Sequence, residues 1–272
     1  MERPDFFELK NGEKVKLPFT EKEYQNRLKK LRTVMSEQGM DMVILTSMHN
    51  IAYYTGFIYC SFGRPYGCVV TQKKIADLLL KACPKLNFIA PHCKKNITKP
   101  KKIKIGFLSA YFRQHSVGKL MQGLISSISR KKFEVIIFIT DELDIKNDLI
   151  SRKICESANK LVQLPDNTFD SQNTIASETL DILFYPDIGM DIRTYFLAFS
   201  KLAHIQCVTW GNPDTTGIPN IDFFISSVLT EPANGSKHYS EKLYKLNTLP
   251  TFYLPIQIPK KMKNRRKFGL SL

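Results

Sequence analysis

Between residues 103 and 227 short apolar runs alternate with longer amphipathic ones, and this alternation constrains the fold more than any other feature of the chain. The runs 103–108, 133–140, 181–185, 206–210 and 223–226 read as strands. The stretches 117–129, 145–159, 173–179 and 192–202 between them read as helices. Strands that are apolar on both faces and separated by helices predict a parallel sheet covered on both sides. The fold class is therefore α/β, with a doubly wound, Rossmann-like sheet. Within it, residues 205–227 carry the most information. A strand runs into Trp210, the only tryptophan, and then into the loop Gly211-Asn212-Pro213-Asp214-Thr215-Thr216-Gly217. Open α/β sheets bind ligands on loops leaving the carboxyl ends of their strands.

The chain before this region is organised differently. Thr20-Glu21-Lys22-Glu23 forms a capping box, Tyr24, Leu28, Leu31 and Met35 recur at helical spacing, and Gly39 supplies a stop. A strand at 42–46, a short helical piece at 50–54 and a strand at 67–71 follow. This is a βα-type start, but two strands rarely make a stable sheet unaided. A helix at 75–80 ends at Pro84, and a lysine-rich stretch runs from Lys94 to Lys104. Three parts are expected: residues 1–72, a helix and basic linker at 73–102, and residues 103–272.

Composition excludes several classes. At 43% hydrophobic and 11% aromatic the 272 residues can bury real cores. No run reaches the roughly 18 apolar residues of a membrane span, and Met1-Glu2-Arg3-Pro4-Asp5 lacks the apolar core of a signal peptide. A cytoplasmic protein without membrane association is expected. The net charge of +15 falls largely in two runs, 94–104 and 260–267. Neither interleaves aromatics with its cations, which argues against a nucleic-acid platform and leaves a phosphate-bearing ligand open. Six cysteines include no CxxC pair, and His92-Cys93 is the one adjacent ligand pair, so no metal site and reduced thiols are expected.

Two resemblances add to this reading. The stretches NGEKVKLPFTEKEYQNRLKKLR (residues 11–32) and ILTSMHNIAYYTGFIYCSFGRPYGCVVT (residues 44–71) resemble the N-terminal domain of the creatinase/Xaa-Pro aminopeptidase superfamily. The resemblance implies a partial creatinase-type segment over residues 1–72, with a homodimer or interaction role. It matches Phe62 and Arg64 to positions that hold a carboxylate substrate. An arginine fork suits a carboxylate, but without its partner domain Arg64 reads as a solvent-exposed arginine. The family's catalytic domain has no counterpart here, so creatine hydrolysis is not expected.

From Lys73 onward the chain is similar to the SPINDLY-like O-GlcNAc transferases. The matching motifs are LNFIAPHC (86–93), KIGFLSAYFRQHSVG (104–118), KKFEVIIF (131–138), the long run from Asp181 to Ser227, and YSEKLYKL (239–246). The resemblance implies the acceptor-side, N-terminal lobe of a two-lobed GT-B enzyme that needs no metal or other cofactor. Such an enzyme transfers N-acetylglucosamine from a UDP-sugar donor to serine or threonine of a protein acceptor. His115 and Asp187 match catalytic positions, and Thr215, Thr216 and Gly217, with Trp210 before them, match the wall of the substrate cleft. Met190 stands where many relatives carry a histidine. The second lobe, with most of the donor pocket, would begin near residue 272, so a truncated lobe that is inactive alone is expected.

Each site residue also has a plainer reading. His115 could be a helix cap, Asp187 could cap the helix that follows Asp191, and Trp210 could be packing rather than a stacking platform. His204 is expected to end a helix in a structural role. The change of resemblance at Gln72-Lys73 leaves open two alternatives: a non-enzymatic interaction module, and a gene fusion without selected function.

Overall fold

The computed structural model describes residues 19–56, 67–71, 75–95, 100–212 and 214–253. It divides into two compact units, Met1–Lys81 and Ala82–Leu272.

In the first unit helix α1 (Glu21–Glu37) starts as the capping box predicts, with Thr20 Oγ1 accepting from Glu23 N at 3.3 Å. Strand β1 (Met42–Leu45), helix α2 (Met48–Thr55), strand β2 (Cys68–Thr71) and helix α3 (Ile75–Ala82) follow. β1 and β2 pair antiparallel, from Met42 opposite Thr71 to Leu45 opposite Cys68. Met35, Leu45, Ile51 and Val70 make the core. Arg27 is almost fully buried. Its Nε donates to Glu23 Oε1 at 3.0 Å, one of its terminal nitrogens donates to the Tyr53 carbonyl at 2.9 Å, and its guanidinium lies 4.0 Å from the Phe19 ring centroid. A buried guanidinium is tolerated when paired and stacked in this way.

The second unit is a seven-stranded, wholly parallel sheet in the order β5-β4-β3-β6-β7-β8-β9. Its strands are β3 (Ile103–Leu108), β4 (Phe133–Ile139), β5 (Lys160–Gln163), β6 (Leu180–Tyr185), β7 (Ala203–Val208), β8 (Phe223–Ser227) and β9 (Lys242–Leu246). Its helices are α4 (Ser116–Ser127), α5 (Leu149–Ser157), α6 (Thr168–Ser177) and α7 (Ile192–Leu197). α4 packs with α5 and α6 with α7. Val117, Met121 and Ile125 of α4 and Ile154 of α5 bury against Phe107, Val135, Ile137 and Ile139. Gly106 in β3 faces Leu180, Phe138 and Leu183, where a Cβ would lie 2.8 Å from the nearest ring or methyl carbon. The chain reverses its direction of winding between β3 and β6, which makes the gap beside their carboxyl ends the topological switch point.

The structure departs from the sequence expectations at several elements. β5 and β9 are additional edge strands, half exposed and carrying lysines. The helix expected over 192–202 ends at Leu197, and β7 begins at Ala203, so His204 lies in a strand rather than at a helix end. Its ring meets His92 edge-on at 5.4 Å. α5 begins at Leu149, because Asp148 accepts from Ile150 N at 2.8 Å and Ser151 N at 3.2 Å. α6, in contrast, begins earlier than expected, at Thr168, capped by Asn167. Part of the stretch expected as a basic linker is packed structure: Ala90 N donates to the Lys201 carbonyl at 2.9 Å and Lys201 N to the Phe88 carbonyl at 2.8 Å. No helix among the described residues is long and apolar enough to cross a membrane.

Candidate functional site

Past the end of β3 the chain turns through Ser109, Ala110 and Tyr111 before entering α4; past the end of β6 it turns through Pro186, Asp187 and Ile188. The two turns meet at the switch point. Ser109 Oγ donates to Asp187 Oδ2 at 3.0 Å and accepts from Tyr111 N at 2.9 Å. Both side chains are sealed, at 1% exposure each. The other carboxyl oxygen, Asp187 Oδ1, is buried without a hydrogen-bond partner. Burial pushes the Asp187 carboxyl up to about 7; the Ser109 hydrogen bond pulls the other way and the Asp191 charge adds to the rise. A carboxyl held near neutrality can take or give a proton at physiological pH.

His115 is the N-cap of α4. Its Nδ1 accepts from Val117 N at 3.3 Å, and its ring stacks on Tyr111 with centroids 4.5 Å apart. Burial lowers its pKa, helped by the cations of Arg113 and Lys119. The cap uses the Nδ1 lone pair, so the neutral ring carries its proton on Nε2 and presents a donor, a tautomer assigned from the hydrogen-bond geometry. The helix cap is thus the reading of His115 that its hydrogen bond shows. α4 comes close to the turn before it because Gly118 has no side chain: a Cβ there would lie 2.2 Å from the Arg113 carbonyl oxygen.

Asp187 does not cap the following helix. Asp191 does, accepting from Thr194 N at 2.9 Å. Met190 offers backbone instead of a side-chain base. Its N donates to the Asp187 carbonyl at 3.1 Å and its carbonyl accepts from the Tyr111 hydroxyl at 2.9 Å.

Trp210 follows β7 and lines a cavity of about 80 Å³ with Ser116, Pro186 and Thr251. Its Nε1 donates to Ser226 Oγ at 2.9 Å, and Ser226 Oγ donates to Glu231 Oε1 at 2.6 Å. Gly211 lets the β7 loop close on the β6 loop: its N donates to the Pro186 carbonyl at 2.8 Å, and a Cβ would stand 2.7 Å from Asp187 Cα.

His115, Asp187 and Trp210 therefore gather at the carboxyl ends of β3, β6 and β7. Thr215, Thr216 and Gly217 are held elsewhere. Thr215 Oγ1 donates to Glu241 Oε2 at 2.6 Å, Thr216 N donates to Glu241 Oε1 at 2.8 Å, and the Thr216 hydroxyl joins the same oxygen. Gly217 N donates to Ser240 Oγ at 3.1 Å, and Gly217 takes φ +67° with open space around it. Glu241 directly precedes β9, three strands from β6, or about 14 Å across the sheet. Burial opposes ionisation of Glu241, yet the hydrogen bonds from Thr215 and Thr216 hold its carboxyl below the usual range. The threonines are the anchors of a turn, with their hydroxyls engaged. Phe62 and Arg64 lie outside the described residues. No group of three or more His, Cys, Asp or Glu among the described residues is placed to hold a metal ion.

Ser109, Tyr111 and Glu241 were not singled out in the sequence. Ser109 was discoverable as the first polar residue after a central apolar strand. Glu241 carried no local signal, because its partners lie about 25 residues away.

Comparison with known proteins agrees with the fold. The model of Glycosyl transferase family 41 matches residues 20–259. A probable UDP-N-acetylglucosamine--peptide N-acetylglucosaminyltransferase SPINDLY from Solanum lycopersicum is 24% identical over 162 residues, covering 56% of this chain and 16% of that protein. A creatinase from Bacillus sp. is 51% identical over 63 residues, 23% of this chain and 15% of that protein. The chain thus spans about one sixth of the length of these relatives. A solved O-GlcNAc transferase mutant from Thermobaculum terrenum superposes with TM-score 0.51 at 18% identity, covering 56% of this chain and 29% of that one. With most of its residues inside the family match, the chain belongs to glycosyl transferase family 41.

Proposed function

We propose that residues 82–253 form the acceptor-side lobe of a transferase that moves N-acetylglucosamine from UDP-N-acetylglucosamine to serine or threonine hydroxyls of proteins. The observation that carries this reading is Asp187, a buried carboxyl at the switch point with one oxygen held by Ser109 and the other unpaired. In an inverting transfer the acceptor oxygen bonds to the anomeric carbon as the bond from that carbon to the diphosphate oxygen breaks. The hydroxyl proton goes to a base, and UDP departs with the bonding pair. Asp187 suits the base once the 187–190 turn opens to the acceptor: its unpaired oxygen, sealed while the turn is closed, then has a vacant acceptor position, and its carboxyl titrates near neutrality. His115, with its proton on Nε2, suits a donor to the sugar or to the diphosphate as charge develops there.

The donor diphosphate needs backbone amides and cations in a preorganised pocket. We place most of these in a second lobe, since the peptide transferase from Solanum lycopersicum is matched over only 16% of its length. Residues 1–272 expressed alone are therefore expected to show no turnover. The test is to supply the second lobe of a close relative in trans and follow labelled sugar into a serine-containing peptide. Transfer that is lost with Asp187→Asn and reduced by about 10²- to 10⁴-fold with His115→Ala supports the assignment. Transfer unaffected by either substitution refutes it.

The first unit supports a second, compatible role. Its high identity to a creatinase segment, with Met42, Ile44 and Val69 exposed on one face of the β1–β2 pair, favours self-association through this unit. Ile44→Lys is expected to leave a monomer where the unaltered chain sediments as a dimer; a monomer at all concentrations before substitution would dismiss that role. A cytoplasmic location fits the five described cysteines, all of which are free.

A further inference from the structure

Tyr111 joins three parts of the candidate site: Ser109, His115 and the 187–190 turn. Its backbone N donates to Ser109 Oγ, the hydroxyl that holds Asp187. Its ring stacks on the His115 imidazole at 4.5 Å with the planes 27° apart. Its hydroxyl donates to the Met190 carbonyl at 2.9 Å, and Met190 N in turn donates to the Asp187 carbonyl. The loop after β3 and the loop after β6 are therefore tied by the Tyr111 side chain as well as by the Ser109–Asp187 bond, and the Tyr111 ring lies against His115 while its hydroxyl holds the turn that carries Asp187.

We propose that Tyr111 is the positioning residue of the site: its ring sets the plane of the His115 imidazole, and its hydroxyl closes the 187–190 turn around Asp187. This rests on the reading of His115 and Asp187 as the reacting groups, while the geometry stands without it. Stacking on an aromatic face and an N-cap bond from Val117 leave the imidazole one orientation, with Nε2 directed away from α4. A turn closed by two hydrogen bonds keeps water from the unpaired Asp187 oxygen. The charged groups that face the pair are Arg113 and Lys119 around His115 and Asp191 around Asp187; Asp141 and Arg113 also face the Tyr111 hydroxyl.

The experiment uses the full chain and nuclear magnetic resonance, so it reads positioning without needing turnover. The chain has five histidines, and the His115 Hε1 signal is identified by its disappearance in His115→Gln. In the unaltered protein that signal is expected upfield of the others through the Tyr111 ring current. Tyr111→Phe should keep the upfield shift and Tyr111→Leu should abolish it. Labelling aspartate carboxyl carbons gives a second readout. Tyr111→Phe removes only the hydroxyl, and the Asp187 titration midpoint should fall toward the ordinary carboxylate range as the turn opens to water. A tyrosine that merely packs would leave that midpoint where it is. If Tyr111→Leu fails to fold, the nearly isosteric Tyr111→Phe still decides the matter. An unshifted Asp187 midpoint in Tyr111→Phe overturns the proposal. The expected shifts together with no sugar transfer in trans would instead overturn the functional reading and leave the positioning geometry standing.

Discussion

Asp187 is costly to the fold in a way that can be measured. Its folded carboxyl titrates at about 7, against an ordinary value of 3.8. Between those values the folded state holds a proton that the unfolded chain has released. Stability contributed by this group is therefore complete below the lower value and is lost as pH rises through the higher one. Asp187→Asn retains an oxygen for Ser109 and removes the titration. The unaltered chain is expected to lose on the order of a few kcal/mol between about pH 4 and 7 from this residue, and the variant to show a flatter dependence. Urea midpoints across that pH range check it; parallel curves for the two proteins would show that Asp187 is not buried as described. Glu241 has the opposite sign. Its lowered carboxyl stabilises the folded state above the unfolded value and ceases to do so as pH falls. Glu241→Ala orphans the Thr216 amide and two hydroxyls and should cost about 1–3 kcal/mol, with faster proteolysis at 211–217.

Among the elements, the central strands were legible and the edges were not. Phe133–Ile139 and Leu180–Tyr185 are apolar because helices cover both faces, and period and β-branching alone identify them. Lys160–Gln163 and Lys242–Leu246 border solvent, and a strand half exposed and rich in lysine has no apolar run to detect. Helix starts moved for a similar reason: Asp148 and Asn167 cap through side chains that periodicity does not register. The site divides along the same line. His115 and Asp187 sit where their motifs place them, at strand ends, while the Thr215-Thr216 turn is claimed by a glutamate from another element. The close approach of the β7 loop to the β6 loop yields a further prediction. Gly211→Ala places a carbon 2.3 Å from the Pro186 carbonyl oxygen, within a backbone that cannot swing aside. It should destabilise the chain by about 1–3 kcal/mol and displace Asp187. Denaturant unfolding reads the first effect, and a shifted Asp187 titration reads the second.

At the scale of the whole molecule, one unit carries the parallel sheet and its switch point, and the other is a small α/β piece with a core of its own. Family membership spans 20–259, yet the candidate chemistry lies wholly within the sheet unit, between β3, β6 and β7. A protein organised in this way should tolerate change in its first unit without loss of the site. Met35→Ala, which opens a cavity in the small core, should lower the stability of that unit by about 2–5 kcal/mol. The Asp187 titration should be unaltered by it, and a midpoint that moves with Met35→Ala would show the two units to be one cooperative structure. The central claim is that Asp187 receives the acceptor proton. It is tested most directly by the pH-rate profile of sugar transfer to peptide by the full chain combined with a second lobe in trans. The account predicts a rate that rises with pH through a midpoint near 7 as Asp187 ionises, with both limb and rate lost in Asp187→Asn. A profile that keeps its rising limb and its rate in Asp187→Asn would contradict the account.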